Sequence, residues 1–148
     1  MARPEGLFEL RTPRQLLEKL EADLERLRSA SPISKQAQYA AFDFFVTAEH
    51  LPDWIEGVTG TKAARHRDYA DGKLVSHVAN GAKHFHVDPK RHKAMRETRA
   101  HPGVFDANVF DSKVFDVDSL EIEQEDGRIE AVLDVAARVL DRWKKQLT

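Results

Sequence analysis

The sequence predicts a predominantly helical α+β domain, with a bundle of four to five helices and a small antiparallel sheet in the C-terminal third. Apolar residues recur at helical spacing over most of residues 12–88 and again over residues 133–147. Between them, over about residues 104–131, valine and phenylalanine replace leucine and alanine, and one stretch alternates apolar with polar residues. Because 148 residues is close to the most common domain size, we expect residues 1–148 to form one domain.

The first helix has the clearest start signal in the chain. Thr12 is suited to cap it, Pro13 to occupy its first turn, and Gln15 to complete a capping box. Leucines then repeat at helical spacing, at Leu16, Leu17, Leu20, Leu24 and Leu27. The segment Ser29–Pro32 should end this helix.

A second helix is predicted from about Ser34 to Glu56, and its apolar stripe makes it the central helix. Its predicted inner residues are Ala37, Ala41, Phe44, Phe45, Ala48, Leu51 and Ile55. Pro52 removes a backbone donor and clashes with the preceding turn, so the sequence predicts a kink or break near Glu49–Leu51. A short polar helix should follow over Ala63–Tyr69.

The segment Leu74–Asp88 combines an apolar helical stripe with a dense polar set. Wound as a helix, it places on one face Val75, Val78, Ala79, Ala82 and Phe85, which we expect to meet the core. Roughly opposite lie His77, Asn80, Gly81 and His84. His86 returns toward the apolar side, so it should mark the end of the helix.

The C-terminal third is predicted to contain the sheet and a last helix. The triplet Val-Phe-Asp starts at Val104, Val109 and Val114, and we expect one or two short strands with bends there. A strand over Val117–Gln124, a turn at Glu125–Gly127 and a returning strand over Arg128–Val132 should form a hairpin. The last helix, about Leu133–Gln146, should bury a stripe of Ala136, Val139, Leu140, Trp143 and Leu147.

Composition excludes several classes of protein. No apolar run is long enough to span a bilayer, and no secretory signal is readable, so we expect no membrane association. The absence of cysteine excludes disulfides, thiolate catalysis and thiolate metal sites, and is consistent with a cytoplasmic location.

The net charge of −2 hides two stretches of opposite sign. Residues 83–101 carry six Lys/Arg against two acids, and residues 102–134 carry ten acids against two Lys/Arg. We expect the two stretches to neutralise one another, within one fold or across a dimer.

The polar side of the Leu74–Asp88 helix is the predicted ligand-binding surface. Its members are His77, Asn80, Lys83 and His84. Lys83 and the histidine beside it could grip an anionic ligand. Gly81 leaves two interpretations open, because a glycine inside a helix often marks the approach of a ligand or close packing, here against Tyr39 or Trp54.

A metal site is an alternative use of the same histidines, and it is the one cofactor that the sequence raises. The candidate ligands for a divalent ion are His50, Asp53, His77 and His84, which would converge if the two helices pack antiparallel. A structural interpretation competes, in which His50 caps carbonyls freed by Pro52 and the other histidines lie near a helix C-terminus.

RNA cleavage is a second alternative, and it depends on the basic stretch. Arg96 and His101 fit the motif of HEPN-class ribonucleases, in which four to six residues separate an arginine from a histidine, and His84 is a second candidate acid or base. In this hypothesis Arg96 and Lys83 would bind RNA phosphates. Short spacings of this kind arise by chance, and Pro102 biases His101 away from helix.

Two longer segments carry a resemblance. They are AQYAAFDFFVTAEHLPDWIEG and LVSHVANGAKHF, with Trp143 on the last helix, and together they span about Gln38–Trp143. Here the chain resembles a group of small bacterial and phage-associated helical proteins, distantly similar to HEPN bundles. The matching residues are His50, Asp53, Trp54, Asn80, Gly81, Lys83, His84 and Phe85. The resemblance implies a helical bundle and assigns no particular reaction.

The first interpretation is therefore a cytoplasmic binding protein, either non-enzymatic or without an assigned reaction. Its surface for a ligand or a protein partner would be formed by His50, Asp53, His77, Asn80, Lys83 and His84. Leftover apolar surface on the helices predicts a homodimer. The alternatives are the HEPN-like ribonuclease or toxin and the metal-binding helical bundle.

Overall fold

The computed structural model describes residues 4–104, 109, 111 and 116–148, and in this part five helices and three strands follow one another. They are α1 (Pro13–Ser29), α2 (Lys35–Thr59), α3 (Ala63–His66), α4 (Gly72–Lys83), β1 (Met95–His101), β2 (Ser119–Gln124), β3 (Ile129–Ala131) and α5 (Val132–Leu147). The predicted α+β class, mainly helical with a small antiparallel sheet, is confirmed.

Helix α1 begins as the sequence predicts. The backbone N–H of Gln15 donates to Thr12 Oγ1 at 3.1 Å, and the N–H of Thr12 donates to Gln15 Oε1 at 3.1 Å, which completes the capping box. All five predicted leucines are buried. Asp23 is also buried on this face. Its carboxylate accepts hydrogen bonds from Lys19 and Arg26 of the same helix and from Thr47 of α2.

Helix α2 continues through Pro52, so of the predicted kink or break near Glu49–Leu51 the break is wrong. Ala48, Leu51 and Ile55 lie on both sides of the proline and are buried in the same core. Their packing holds the helix together across one missing backbone hydrogen bond. The helix ends at Thr59, and Gly60 caps it with a left-handed φ of 76°.

Helices α3 and α4 both end earlier than predicted. α3 stops at His66 instead of Tyr69, and α4 stops at Lys83, after which His84 is already extended. Phe85 therefore leaves the helix and is 95% exposed, which contradicts its predicted place in the core. Val87 turns back toward α4 instead, and it is the side chain that a Cβ on Gly81 would meet, at 3.6 Å.

The sheet has the order β1–β2–β3, and both pairs are antiparallel. The predicted hairpin is confirmed in β2 and β3, which are joined through Gly127 at a φ of 88°. The third strand is not where the sequence predicts it, because β1 precedes the predicted range of residues 104–131. In the Val-Phe-Asp stretch, Val104 and Val109 are exposed, and residues 105–108, 110 and 112–115 lie outside the described residues.

Helix α5 buries four of its five predicted stripe residues, Ala136, Val139, Leu140 and Trp143, and half-buries the fifth, Leu147. They join α1, α2, α4 and the inner face of β2 in one cluster of buried apolar side chains. None of the helices in the described part of the chain is long and apolar enough to cross a membrane.

The basic and acidic stretches meet across the β1–β2 pair. Arg96 lies 3.1 Å from Glu123, and Arg99 lies 3.4 Å from Glu121. The expected neutralisation thus takes place within the fold for these side chains.

Candidate functional site

The predicted ligand-binding set on α4 does not form one surface. His77 is buried, with 8% exposure, and its Nδ1 accepts the backbone N–H of Met95 at 3.0 Å. Asn80 donates from Nδ2 to the carbonyl of Ser76 at 2.8 Å. Lys83 and His84 are exposed at the end of the helix. His77 is directed toward the start of β1, so this histidine is part of the packing instead of a solvent-facing site.

The contact of His77 fixes its protonation state. Nδ1 must carry a lone pair to accept from Met95, so the proton of the neutral ring lies on Nε2. Burial lowers the pKa of His77, and the nearby His92, whose ring lies 5.8 Å away, lowers it further, while Glu125 opposes the shift. His77 therefore favours the neutral form in the folded protein.

Protonation of His77 should destabilise the fold. Because its folded pKa lies below the ordinary value of 6.5, its contribution is full above that pH and is lost as the pH falls through the folded pKa. We expect the free energy of unfolding, measured with urea, to fall more steeply between about pH 7 and about pH 5 in the wild type than in His77→Gln. Glutamine keeps an acceptor but cannot be protonated. The control is His50→Gln, at an exposed histidine, which should retain the wild-type slope; equal slopes for all three proteins would contradict this role of His77.

The predicted metal ligands are also not brought together as a metal site. Asp53 lies 2.7 Å from Arg67 Nη2, His50 is exposed, and His77 is engaged with Met95. Among the described residues, no three His, Asp or Glu side chains are grouped so that they could hold an ion. The four predicted metal ligands therefore do not converge, because the α4 side chain that contacts Glu49 of α2 is Ser76 and not His77.

The α2–α4 contact is instead an ion-pair network. Glu49 accepts from Arg67 Nε at 2.6 Å and from Ser76 Oγ at 2.7 Å. Arg67 also donates to the carbonyl of Glu49 at 3.1 Å and to Asp53 at 2.7 Å. The Glu49 side chain is only 15% exposed. This network ties α2 to α4 and to the turn after α3.

The predicted nuclease residues lie on a strand, not on a helix. Arg96 and His101 are five residues apart on β1, which separates them by about 16 Å along the strand. Arg96 pairs with Glu123, and His101 Nε2 lies 2.6 Å from Asp116 Oδ1. The hydrogen bond to Asp116 raises the pKa of His101, although partial desolvation opposes it. His84 lies on the exposed segment after α4, so the geometry does not place these groups in one active site.

A groove of about 510 Å³ lies between α2, α4 and the inner face of β1 and β2. Most of its lining is apolar, from Ala41, Phe42, Phe45, Val78, Ala82, Met95, Ala100, Leu120, Ile122 and Val132. Gly81 completes the α4 side, and the polar side chains on its border are those of Gln38, Thr98, Arg99 and Glu121.

The groove exists because the helices leave part of the sheet uncovered. Thr98 pairs with Ile122, and Ala100 pairs with Leu120, so all four face the helical side of the sheet. Ile122 is fully buried, but Thr98 and Ala100 are exposed on the outer strand of this face. Small side chains on the opposing helices, Ala41 and Ala82, leave the gap open.

The charged residues at the groove border are paired within the sheet. Arg99 lies 3.3–3.5 Å from Glu97, Glu121 and Glu123, and Glu123 lies 3.1 Å from Arg96. Because side chains alternate along a strand, these ion pairs lie on the face opposite Thr98 and Ala100. The side chains that face into the groove are therefore apolar or uncharged.

This groove could not be predicted from the sequence, because the sequence does not predict strand β1, which forms one of its walls. The strand Met95–His101 is mostly charged and has little apolar alternation. Gly81 was the one available signal, and it does line the groove. Comparisons with protein-family models, with curated proteins and with solved structures returned no match.

Proposed function

We propose that the protein is a non-enzymatic binding protein that holds a small, largely apolar ligand in the groove between α2, α4 and the sheet. The observation that carries this proposal is the concave apolar lining itself, where the inner faces of Thr98 and Ala100 stay open to solvent. A sheet face this close to a core is normally covered, and a ligand would cover it.

The size of the groove favours a small molecule. Its volume of about 510 Å³ lies in the range of roughly 300–1,000 Å³ typical of small-molecule sites, which combine apolar walls with a few polar groups. Gln38 and Thr98 supply such groups. Gly81 fits the same use, since a Cβ there would meet only Val87, so packing within the protein does not demand a glycine.

The charge of the groove favours a neutral ligand. Arg99, the one cationic residue of the described lining, is already paired with glutamates on the other face of the sheet, so an anionic group in the groove would find no free cation. This replaces the anionic ligand predicted for His77, Asn80, Lys83 and His84, which do not line the groove.

The proposal is tested with a fluorescent probe, N-phenylnaphthylamine, which is neutral, apolar and brightens when it leaves water. We expect saturable binding to the wild type and at least tenfold weaker binding to Ala82→Phe, because the added ring fills the groove. The matched control is Ala22→Phe, which adds the same ring at an exposed position of α1. Urea unfolding of each variant checks that it is folded.

A second probe tests the charge. Anilinonaphthalene sulfonate has the same ring system with an added anion, and we expect it to bind several-fold more weakly than the neutral probe. If Ala82→Phe and Ala22→Phe bind the neutral probe equally well, or if the sulfonate binds more tightly, the groove is not the site described here.

The other predictions from the sequence are not needed for this proposal. The homodimer, the cytoplasmic location and the ribonuclease alternative stay predictions. For the dimer, the exposed Tyr39 and Phe42 beside the groove are the apolar surface available to a second copy.

A further inference from the structure

The segment from Lys83 to Lys93, here called the basic loop, joins α4 to β1 and is unlike the rest of the surface. It carries four Lys/Arg, one aspartate and three histidines, for a net charge of +3 with neutral histidines. All four cations are exposed. The whole chain is slightly acidic, so this loop is a local reversal of sign.

The cations of the basic loop are not neutralised by the fold. Lys83, Lys90, Arg91 and Lys93 form no ion pair with any residue of the described ranges, whereas Arg96 and Arg99, just beyond the loop, are both paired with glutamates. The one carboxylate of the loop, Asp88, accepts the backbone N–H of Lys90 at 2.9 Å. The four charges are thus free to meet an external anion.

Internal contacts give the basic loop a defined shape. The carbonyl of Asp88 accepts from the N–H groups of Arg91 and His92 at 3.2 and 3.0 Å, which forms a turn around Pro89. At its C-terminal end, the buried His77 holds the N–H of Met95. At its N-terminal end, Val87 lies against Gly81. These contacts hold the backbone of the basic loop in place while its charged side chains are exposed.

Phe85 is the second unusual feature of the basic loop. It is 95% exposed, the most exposed large apolar side chain in the described part of the chain. Its ring meets that of His86 at a steep angle, with centroids 4.9 Å apart, and most of the phenyl ring remains open to solvent. An aromatic face beside unpaired cations is the combination that binds unstacked bases and their phosphates.

We propose that the basic loop binds single-stranded nucleic acid, with the phosphates held by Lys83, Lys90, Arg91 and Lys93 and a base stacked on Phe85. A single strand is favoured over a duplex because its bases are accessible to a protruding ring, while those of a duplex are already stacked. The interaction requires no chemistry and does not use the groove.

The test is fluorescence anisotropy of the full chain with a labelled single strand of about 12 uridines, within the usual range of site sizes. We expect binding at low salt, with a log–log salt slope approaching −3 if four phosphates are contacted. Phe85→Ala should weaken binding about tenfold. Phe8→Ala is the matched control, because Phe8 is 84% exposed and lies outside the loop.

The cations are tested separately. The double variant Lys90→Ala/Lys93→Ala should make the salt slope shallower by about 1.4, while Arg14→Ala/Lys35→Ala, at exposed cations elsewhere, should leave it unchanged. The proposal is overturned if the single strand does not bind at low salt, or if Phe85→Ala and Phe8→Ala bind it equally. It is also overturned if a matched duplex binds more tightly, or if vesicles containing phosphatidylserine bind the chain and the oligonucleotide does not.

Discussion

Replacing Trp143 with alanine is expected to lower the free energy of unfolding by about 3–5 kcal/mol, the largest effect of any single substitution considered for this protein. Trp143 is fully buried on α5, within the cluster that joins α5 to α1 and α2, and its ring packs edge to face on Tyr69 at 5.4 Å between centroids. Deleting the indole leaves a cavity in the centre of that cluster. Because a domain of this size is stable by only about 5–15 kcal/mol, urea unfolding should show a large shift of the midpoint.

Two further variants make the Trp143 experiment specific. Trp143→Phe keeps most of the volume and should lose clearly less stability than the alanine variant. Leu133→Ala, at a residue of the same helix that is 38% exposed, should cost about 1 kcal/mol or less. A loss in Trp143→Ala no greater than in Leu133→Ala would contradict the packing of α5 described here.

Replacing Arg67 with alanine is expected to cost about 2 kcal/mol. The substitution leaves Glu49 largely buried, with Ser76 as its remaining side-chain partner, and a buried carboxylate without its cation is destabilising. The loss in free energy of unfolding should be smaller than for breaking a completely buried ion pair, because the Arg67 side chain is 28% exposed and water screens its charge. Urea unfolding at neutral pH measures it.

An exposed ion pair provides the matched control for Arg67. Arg28 lies 3.5 Å from Glu25 with both side chains more than half exposed, so Arg28→Ala should change stability by less than about 0.5 kcal/mol. Adding Glu49→Gln to Arg67→Ala should recover part of the loss, because the uncompensated charge is removed. If the double variant is less stable than Arg67→Ala, the loss does not arise from a stranded carboxylate.

The helices could be predicted where one face meets one core. The leucine stripe of α1 and the Ala136–Trp143 stripe of α5 each predict a helix and the side of it that is buried. The capping box at Thr12 also predicts where α1 begins. For α2 the sequence predicts a kink or break near Glu49–Leu51, since it does not show how strongly packing on both sides of Pro52 holds the helix together.

Helix α4 shows why the candidate site could not be predicted. Its periodicity identifies an apolar side, but the helix is covered on more than one side, by α2 at Ser76, by the start of β1 at His77 and by Val87 at Gly81. A polar residue opposite the core therefore need not face solvent. His77 contacts Met95, which lies 18 positions further along the chain. The periodicity of one helix cannot predict a contact with a residue outside that helix.

Strand β1 could not be predicted from the sequence, because its residues are mostly charged and show little apolar alternation. Arg96, Glu97 and Arg99 dominate its sequence, and the two arginines pair with glutamates on β2, more than 20 residues away. The same stretch was interpreted as a possible Arg/His motif, whereas its charges serve cross-strand pairing. Because the groove is bounded by β1, the residues that form it could be recognised only after the strand was placed.

The claim that the groove binds a small apolar ligand is tested most directly by an amide NMR titration of the wild-type chain with N-phenylnaphthylamine. We expect saturable shifts centred on the amides of Ala41, Gly81, Ala82, Thr98 and Ala100, and unchanged amides along α1. No saturable shifts, or shifts centred on residues outside this set, would contradict the proposed function.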